Sequence, residues 1–199
     1  YSSAASDVYK RQVFVNIDWK KGRHNNEKST SRNMKVLHAT IAGIVRGMKP
    51  AMLCMSEVGE ASNLLSQAHM QQLADTTEEA WQDAATEHVR LKFLFTDDAP
   101  YMTAYDELQV QCTEHRILDH LYSAGGNPRT TQVFLCRGPD DVAVDTINVH
   151  APSGKIPLRD AHRRACLKHI LEAHSQCIPG RPVGRARFII GGDMDTPPW

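Results

Sequence analysis

The sequence predicts a layered α/β sandwich. Short β-branched and apolar runs alternate with stretches of helical apolar spacing, and strand-like pieces crowd together in the middle of the chain. A last buried run, Phe188-Ile189-Ile190, closes on Gly191-Gly192-Asp193. With 199 residues, 41% of them hydrophobic and 23% charged, the chain can bury a sizeable core, which excludes disorder as its dominant state. No apolar run approaches the roughly 20 residues that a membrane-spanning helix needs.

Residues 1–12, YSSAASDVYKRQ, show no period and read as a non-native or disordered leader ahead of a domain over 13–199. Val13 to Ile17 is β-branched and aromatic, hence a strand. A polar, basic loop over 19–33 follows. From Met34 to Met48 the residues Val36, Leu37, Ile41, Ile44, Val45 and Met48 recur at helical spacing, and Gly47 and Pro50 end the run. Ala51 to Met55 is a second strand, leading into Ser56-Glu57. Residues 61–90 are helical in character, with Thr76 and Glu79 spaced as a capping box. Strands are predicted at 91–95, 108–112, 132–136 and 142–149, then a basic amphipathic helix over 157–174 and a final strand from Arg187.

Formal charge is zero overall but uneven: +7 over residues 1–50, −10 over 51–120 and +3 over 121–199. A uniformly basic nucleic-acid binder is therefore not indicated, and solvated faces account for such blocks. The five cysteines, Cys54, Cys112, Cys136, Cys166 and Cys177, include no C-x-x-C pair. They read as free, mostly buried thiols of an intracellular protein of the nucleus or cytoplasm, neither a disulfide framework nor a zinc site.

The chemistry lies at strand ends. The first strand ends on Asn16 and Asp18, the second on Glu57, the strand at 142–149 on His150, and the last on Asp193 and Asp195. In layered α/β folds, sites gather at the carboxyl edges of strands. Carboxylates converging there repel one another unless a cation lies between them, and hard oxygen ligands suit Mg²⁺ or Mn²⁺. Each residue also has a plainer reading. Asp18 can be a turn aspartate, Glu57 a carboxylate favoured at a helix N-terminus, His150 a strand cap, and Asp193 to Thr196 an Asx turn before two prolines. For Asp193 the preceding glycines favour the functional reading, since they permit close backbone approach to a phosphate.

The set Asn16-Ile17-Asp18, Ser56-Glu57-Val58, Asn148-Val149-His150-Ala151-Pro152 and Gly191-Gly192-Asp193-Met194-Asp195 resembles the endonuclease/exonuclease/phosphatase superfamily, in that order, from Val13 to the last residue. The resemblance implies a DNase I-like four-layer α/β sandwich, incomplete at its C-terminus, and a Mg²⁺- or Mn²⁺-dependent phosphoester hydrolase of nuclease type. It implies that Asn16 and Asp18 lie on the metal side, Glu57 is the main metal ligand, His150 contacts the phosphate or assists proton transfer, Asp193 aligns and deprotonates the attacking water, and Asp195 takes the catalytic position that stabilises the phosphate. Asn16-x-Asp18 and N-V-H-A-P are similar to the apurinic-endonuclease branch and to nuclease domains of retrotransposons. Nucleic acid is thus the expected substrate of a protein assumed monomeric, with a small phosphate ester as the other choice. Two departures stand out: Asp195 occupies a position that is usually Asn, and the Ser-Asp-His motif that ends the family is absent. The sequence thus predicts a C-terminally truncated fragment without turnover, or alternatively a decayed copy acting at most as a binding module.

Overall fold

The computed structural model describes residues 11–16, 27–56, 58, 67–95, 101–120, 129–137, 143–150, 168 and 187–193. Among these the order is β1 (Gln12–Asn16), α1 (Glu27–Met48), β2 (Met52–Ser56), α2 (Gln67–Ala84), β3 (Leu91–Phe95), β4 (Tyr101–Asp106), β5 (Gln111–His120), β6 (Arg129–Arg137), β7 (Ala143–His150) and β8 (Arg187–Asp193). The strands form two four-stranded sheets, ordered β1-β2-β4-β3 and β5-β6-β7-β8. The mixed α/β fold with two sheets and helices is the expected class. The predicted helix over 157–174 lies outside the described residues.

Alternation along the strands sorts the core into two layers. Val13, Leu53, Met55, Met102 and Ala104 face the helices, where Leu37, Ile41, Val45, Leu73, Ala80 and Trp81 cover them. Phe14, Met52, Cys54, Tyr105, Phe134 and Cys136 face the space between the sheets. β2 is buried along its whole length, which is why it reads as a continuous apolar run.

α1 buries Met34, Leu37, Ile41 and Val45, three or four residues apart, whereas the equally apolar Val36 and Met48 lie off that stripe and face solvent. The helix begins at Glu27, inside the predicted loop, because its polar first turns carry no apolar repeat to read. It stops where Lys49 turns left-handed at φ 45°, its N–H donating to Val45 O at 2.9 Å. Thr76 lies within α2 and donates to Met34 Sδ at 3.7 Å, so it ties the two helices together and caps nothing.

β4 fills the stretch flanked by Tyr101 and Tyr105, which the sequence allows as a short strand. Its six residues are all buried, and the turn after it is organised by the Asp106 carboxylate. That carboxylate accepts from the backbone N–H groups of Arg90 (3.0 Å) and Leu108 (3.1 Å) and from Gln109 Nε2 (2.7 Å). Hydrogen bonds cross between the sheets: Thr146 Oγ1 donates to Gln12 Oε1 at 2.9 Å, and Thr103 Oγ1 to Gln132 Oε1 at 3.0 Å. Gln12 is therefore part of the fold, as is Arg11, whose carbonyl accepts from the Ala51 N–H at 2.8 Å.

Candidate active site

Each sheet contains one parallel pair, and the pairs lie against each other. β1 runs parallel to β2 with Asn16 opposite Ser56. β7 runs parallel to β8 with His150 opposite Asp193. A sandwich of sheets brings these ends together only if the two pairs run the same way, and two contacts establish that they do. Gln12 meets Thr146, whose register partner is Ile189; two residues further along β1, Phe14 covers Gly191. The next step in phase on each strand, about 7 Å on, reaches Asn16 on β1 and position 193 on β8. Asn16, Ser56, His150 and Asp193 thus share one edge of the sandwich. Asp18, Glu57 and Asp195 lie outside the described residues; Glu57 directly follows Ser56, and Asp195 follows Asp193 by two.

The glycines before Asp193 have structural occupants. A Cβ at 191 would run into the Phe14 ring, so glycine there is the condition for β1 and β8 to stack. Gly192 takes φ +123°, where L side chains are strained, and a Cβ on it would run into the Val149 carbonyl and stand 2.9 Å from Asn148 Oδ1. The sequence had suggested room for a phosphate; the space is filled by Phe14 and by β7.

Beneath the edge lies a buried polar cluster that sequence reading missed. Asn148 is fully buried, and its Nδ2 donates to Gln132 Oε1 at 3.4 Å, the same oxygen that accepts from Thr103. Asn148 Oδ1 and Ser56 Oγ, both buried, have no hydrogen-bond partner among the described residues. Each lies one or two positions before a predicted site residue. The alternation in Asn148-Val149-His150 was the available signal, since it puts Asn148 in phase with His150. Ser56 carried none beyond its adjacency to Glu57.

These groups are hard donors, carboxamide and hydroxyl oxygens close to positions that supply carboxylates, a chemistry that fits Mg²⁺ or Mn²⁺ and not a thiophilic ion. Among the described residues, no group of three His, Cys, Asp or Glu side chains is arranged to hold a metal. The thiols lie further inside the inter-sheet core, with Cys54 two positions before Ser56 and hydrogen-bonded to Thr103. There burial pushes Cys54 up to about 12, and burial with neighbouring thiols and Glu107 pushes Tyr105 up to about 12. No helix among the described residues is long and apolar enough to cross a membrane.

No protein-family model matches the sequence, and no curated protein matches it. Solved structures do. A mannosyl-6-phosphatase from Bacteroides thetaiotaomicron is 13% identical with a TM-score of 0.59, over 92% of this chain and 64% of that one. TDP2 from D. rerio, complexed with a single-strand DNA product, is 12% identical with a TM-score of 0.56, over 94% and 60%. ANGEL2, a 2′,3′-cyclic phosphatase, is 11% identical with a TM-score of 0.56, over 94% and 53%. The chain spans less than two thirds of the length of each of these structures. An endonuclease/exonuclease/phosphatase family protein from Bacteroides thetaiotaomicron matches equally well, at a TM-score of 0.59. From two sheets stacked through their parallel pairs to these likenesses, the observations agree that the chain has the DNase I-like fold of the endonuclease/exonuclease/phosphatase superfamily.

Proposed function

We propose that the protein is a Mg²⁺- or Mn²⁺-dependent phosphoester hydrolase acting on nucleic-acid phosphodiesters. The observation that carries this reading is the register pair His150–Asp193 at the carboxyl ends of parallel β7 and β8, with the end of β1 stacked at the same edge. Glu57, with Asn16 and Asp18, would hold the cation, which supplies charge neutralisation at the phosphate oxygens. Asp193 orients the attacking water and accepts its proton. His150, from the neighbouring strand, donates to a phosphate oxygen. Asp195 adds negative charge where an amide donor would serve an anionic phosphate better, and losing one such donor costs about 2.7–4 kcal/mol, a hundredfold or more in rate. Nucleic acid is favoured by the motifs of the first and seventh strands and by the DNA product on the TDP2 structure.

The test is cleavage of supercoiled plasmid DNA and of a chromogenic phosphodiester by the natural full-length protein. Hydrolysis should need Mg²⁺ or Mn²⁺, vanish in Asp193→Ala, and rise about a hundredfold in Asp195→Asn. Metal-independent cleavage, or cleavage undiminished in Asp193→Ala, refutes the reading. Asp195 is also the observation behind a second reading, a non-catalytic copy. In that case Mn²⁺ would still raise the melting temperature and no variant would turn over.

A further inference from the structure

Cys112 on β5 and Cys136 on β6 stand directly opposite each other in an antiparallel pair, at the last regular register position before a β-bulge at 112–114. Directly opposed residues have Cα atoms about 4.5–5.5 Å apart, inside the 4.4–6.8 Å range that a disulfide spans. Cys54, the third thiol of the same cluster, belongs to the other sheet, and sheets stack about 10 Å apart, beyond that range. Cys112 is half-buried and reachable, whereas Cys136 is buried. We propose that Cys112 and Cys136 form a thiol–disulfide site: Cys112 takes a small-molecule disulfide and Cys136 resolves the adduct into a cross-strand bond.

The chemistry balances without further reagents. The Cys112 thiolate attacks R–S–S–R, forming Cys112–S–S–R and expelling RS⁻, which takes up the Cys136 proton to leave as RSH. The Cys136 thiolate then attacks the Cys112 sulfur, expelling a second RS⁻ that is protonated from solvent. Two protein thiols are oxidised, and one small disulfide is reduced to two thiols. The division of labour follows from the environment. Cys136 donates a hydrogen bond to Cys112, and with burial this pushes the Cys136 thiol well above the ordinary range. Two adjacent thiolates repel, so one sulfur of the pair keeps its proton while the other attacks, and Cys112 is the less buried of the two.

The test incubates the full chain, with Cys166→Ser and Cys177→Ser, in glutathione disulfide and maps it by mass spectrometry. The expected product has lost two hydrogens and yields a peptide pair joined through Cys112 and Cys136. Cys136→Ser should stop at glutathione on Cys112, Cys112→Ser should leave Cys136 unmodified over the same time, and Cys54→Ala should change neither. The closed loop, about 25 residues, should raise the melting temperature by on the order of 10 °C. A stable glutathione adduct on wild-type Cys112, a bond through Cys54, or a lower melting temperature after oxidation would each overturn the proposal.

Discussion

Gly192→Ala should be among the most damaging single methyl additions in this chain. At φ +123° an L residue is held in a region that is essentially glycine's, at a cost of about 1–3 kcal/mol. The new Cβ also meets the Val149 carbonyl, a backbone atom fixed by its place in the β7–β8 pair, and it stands 2.9 Å from Asn148 Oδ1. Relief requires opening the ladder at Val149–Gly192, and each hydrogen bond lost there adds about 1 kcal/mol. With one such bond lost the sum is about 2–4 kcal/mol, a large share of the roughly 5–15 kcal/mol that holds a domain together. Gly43→Ala is the control: it lies on the exposed side of α1 with nothing within 4 Å of its Cβ position, so alanine should stabilise by about 0.5–1 kcal/mol. Equilibrium unfolding in urea reads both from the shift in midpoint at unchanged slope. A Gly192→Ala protein within about 1 kcal/mol of the parent, or two variants shifted in the same direction, would refute the reasoning.

Four more outcomes are expected. Gly191→Ala should destabilise by about 2–3 kcal/mol because the Phe14 ring must move, and a double-mutant cycle with Phe14→Leu should recover a large part of it. Lys49→Gly should stabilise by about 1 kcal/mol by removing the left-handed penalty at φ 45°, seen as a rise of about 2–4 °C in melting temperature. Gln132→Leu should cost about 2–4 kcal/mol in denaturant, since it strands the Thr103 hydroxyl and the Asn148 amide in the buried cluster. The Cys54 thiol is raised from 9.0 to about 12 and the Tyr105 hydroxyl from 10.0 to about 12, so each binds its proton more tightly folded than unfolded. Their contribution is complete below pH 9 and fades between the unfolded and folded values; Tyr105→Phe should flatten the loss of stability above pH 10 in a pH-jump melt series.

The elements that sequence disclosed are those whose burial is written in one kind of residue. β2, β3 and β8 are apolar runs, and the stripe of α1 repeats every three or four positions. β4, Tyr101–Asp106, is legible only as a possible short strand because it buries Thr103 and Asp106, polar groups whose partners Gln132 and Arg90 are remote in sequence. No local pattern announces a hydroxyl that will be satisfied from the opposite sheet. The candidate residues stood out for a similar reason: Asn16 and Asp193 close apolar strands, His150 closes an alternating one, and a strand end is a local property. Which ends meet is not, because it depends on the order of strands in two sheets and on Phe14 finding Gly191. The pairing of Cys112 with Cys136 was hidden in the same way, fixed by register alone.

The two sheets share one plan. Reading inward from β1, sheet one has a parallel neighbour β2 and then antiparallel β4 and β3; reading inward from β8, sheet two has parallel β7 and then antiparallel β6 and β5. Each sheet thus contributes one pair of strand ends that point the same way, and only such pairs deliver two carboxyl ends to one edge. The antiparallel strands contribute one further carboxyl end at that edge in each sheet, that of β3 in sheet one and of β5 in sheet two, and neither lies beside another such end. A site assembled from the first third of the chain and the last quarter therefore depends on the contact between sheets more than on either sheet's own ladder. That contact joins the apolar residues between the sheets, among them Met52, Tyr105 and Phe134, to the Phe14 ring over Gly191, the Thr146–Gln12 bond and the Thr103–Gln132–Asn148 chain. A change there alters the distance between Asn16 and Asp193 while both sheets stay paired, so its signature is site chemistry lost ahead of secondary structure.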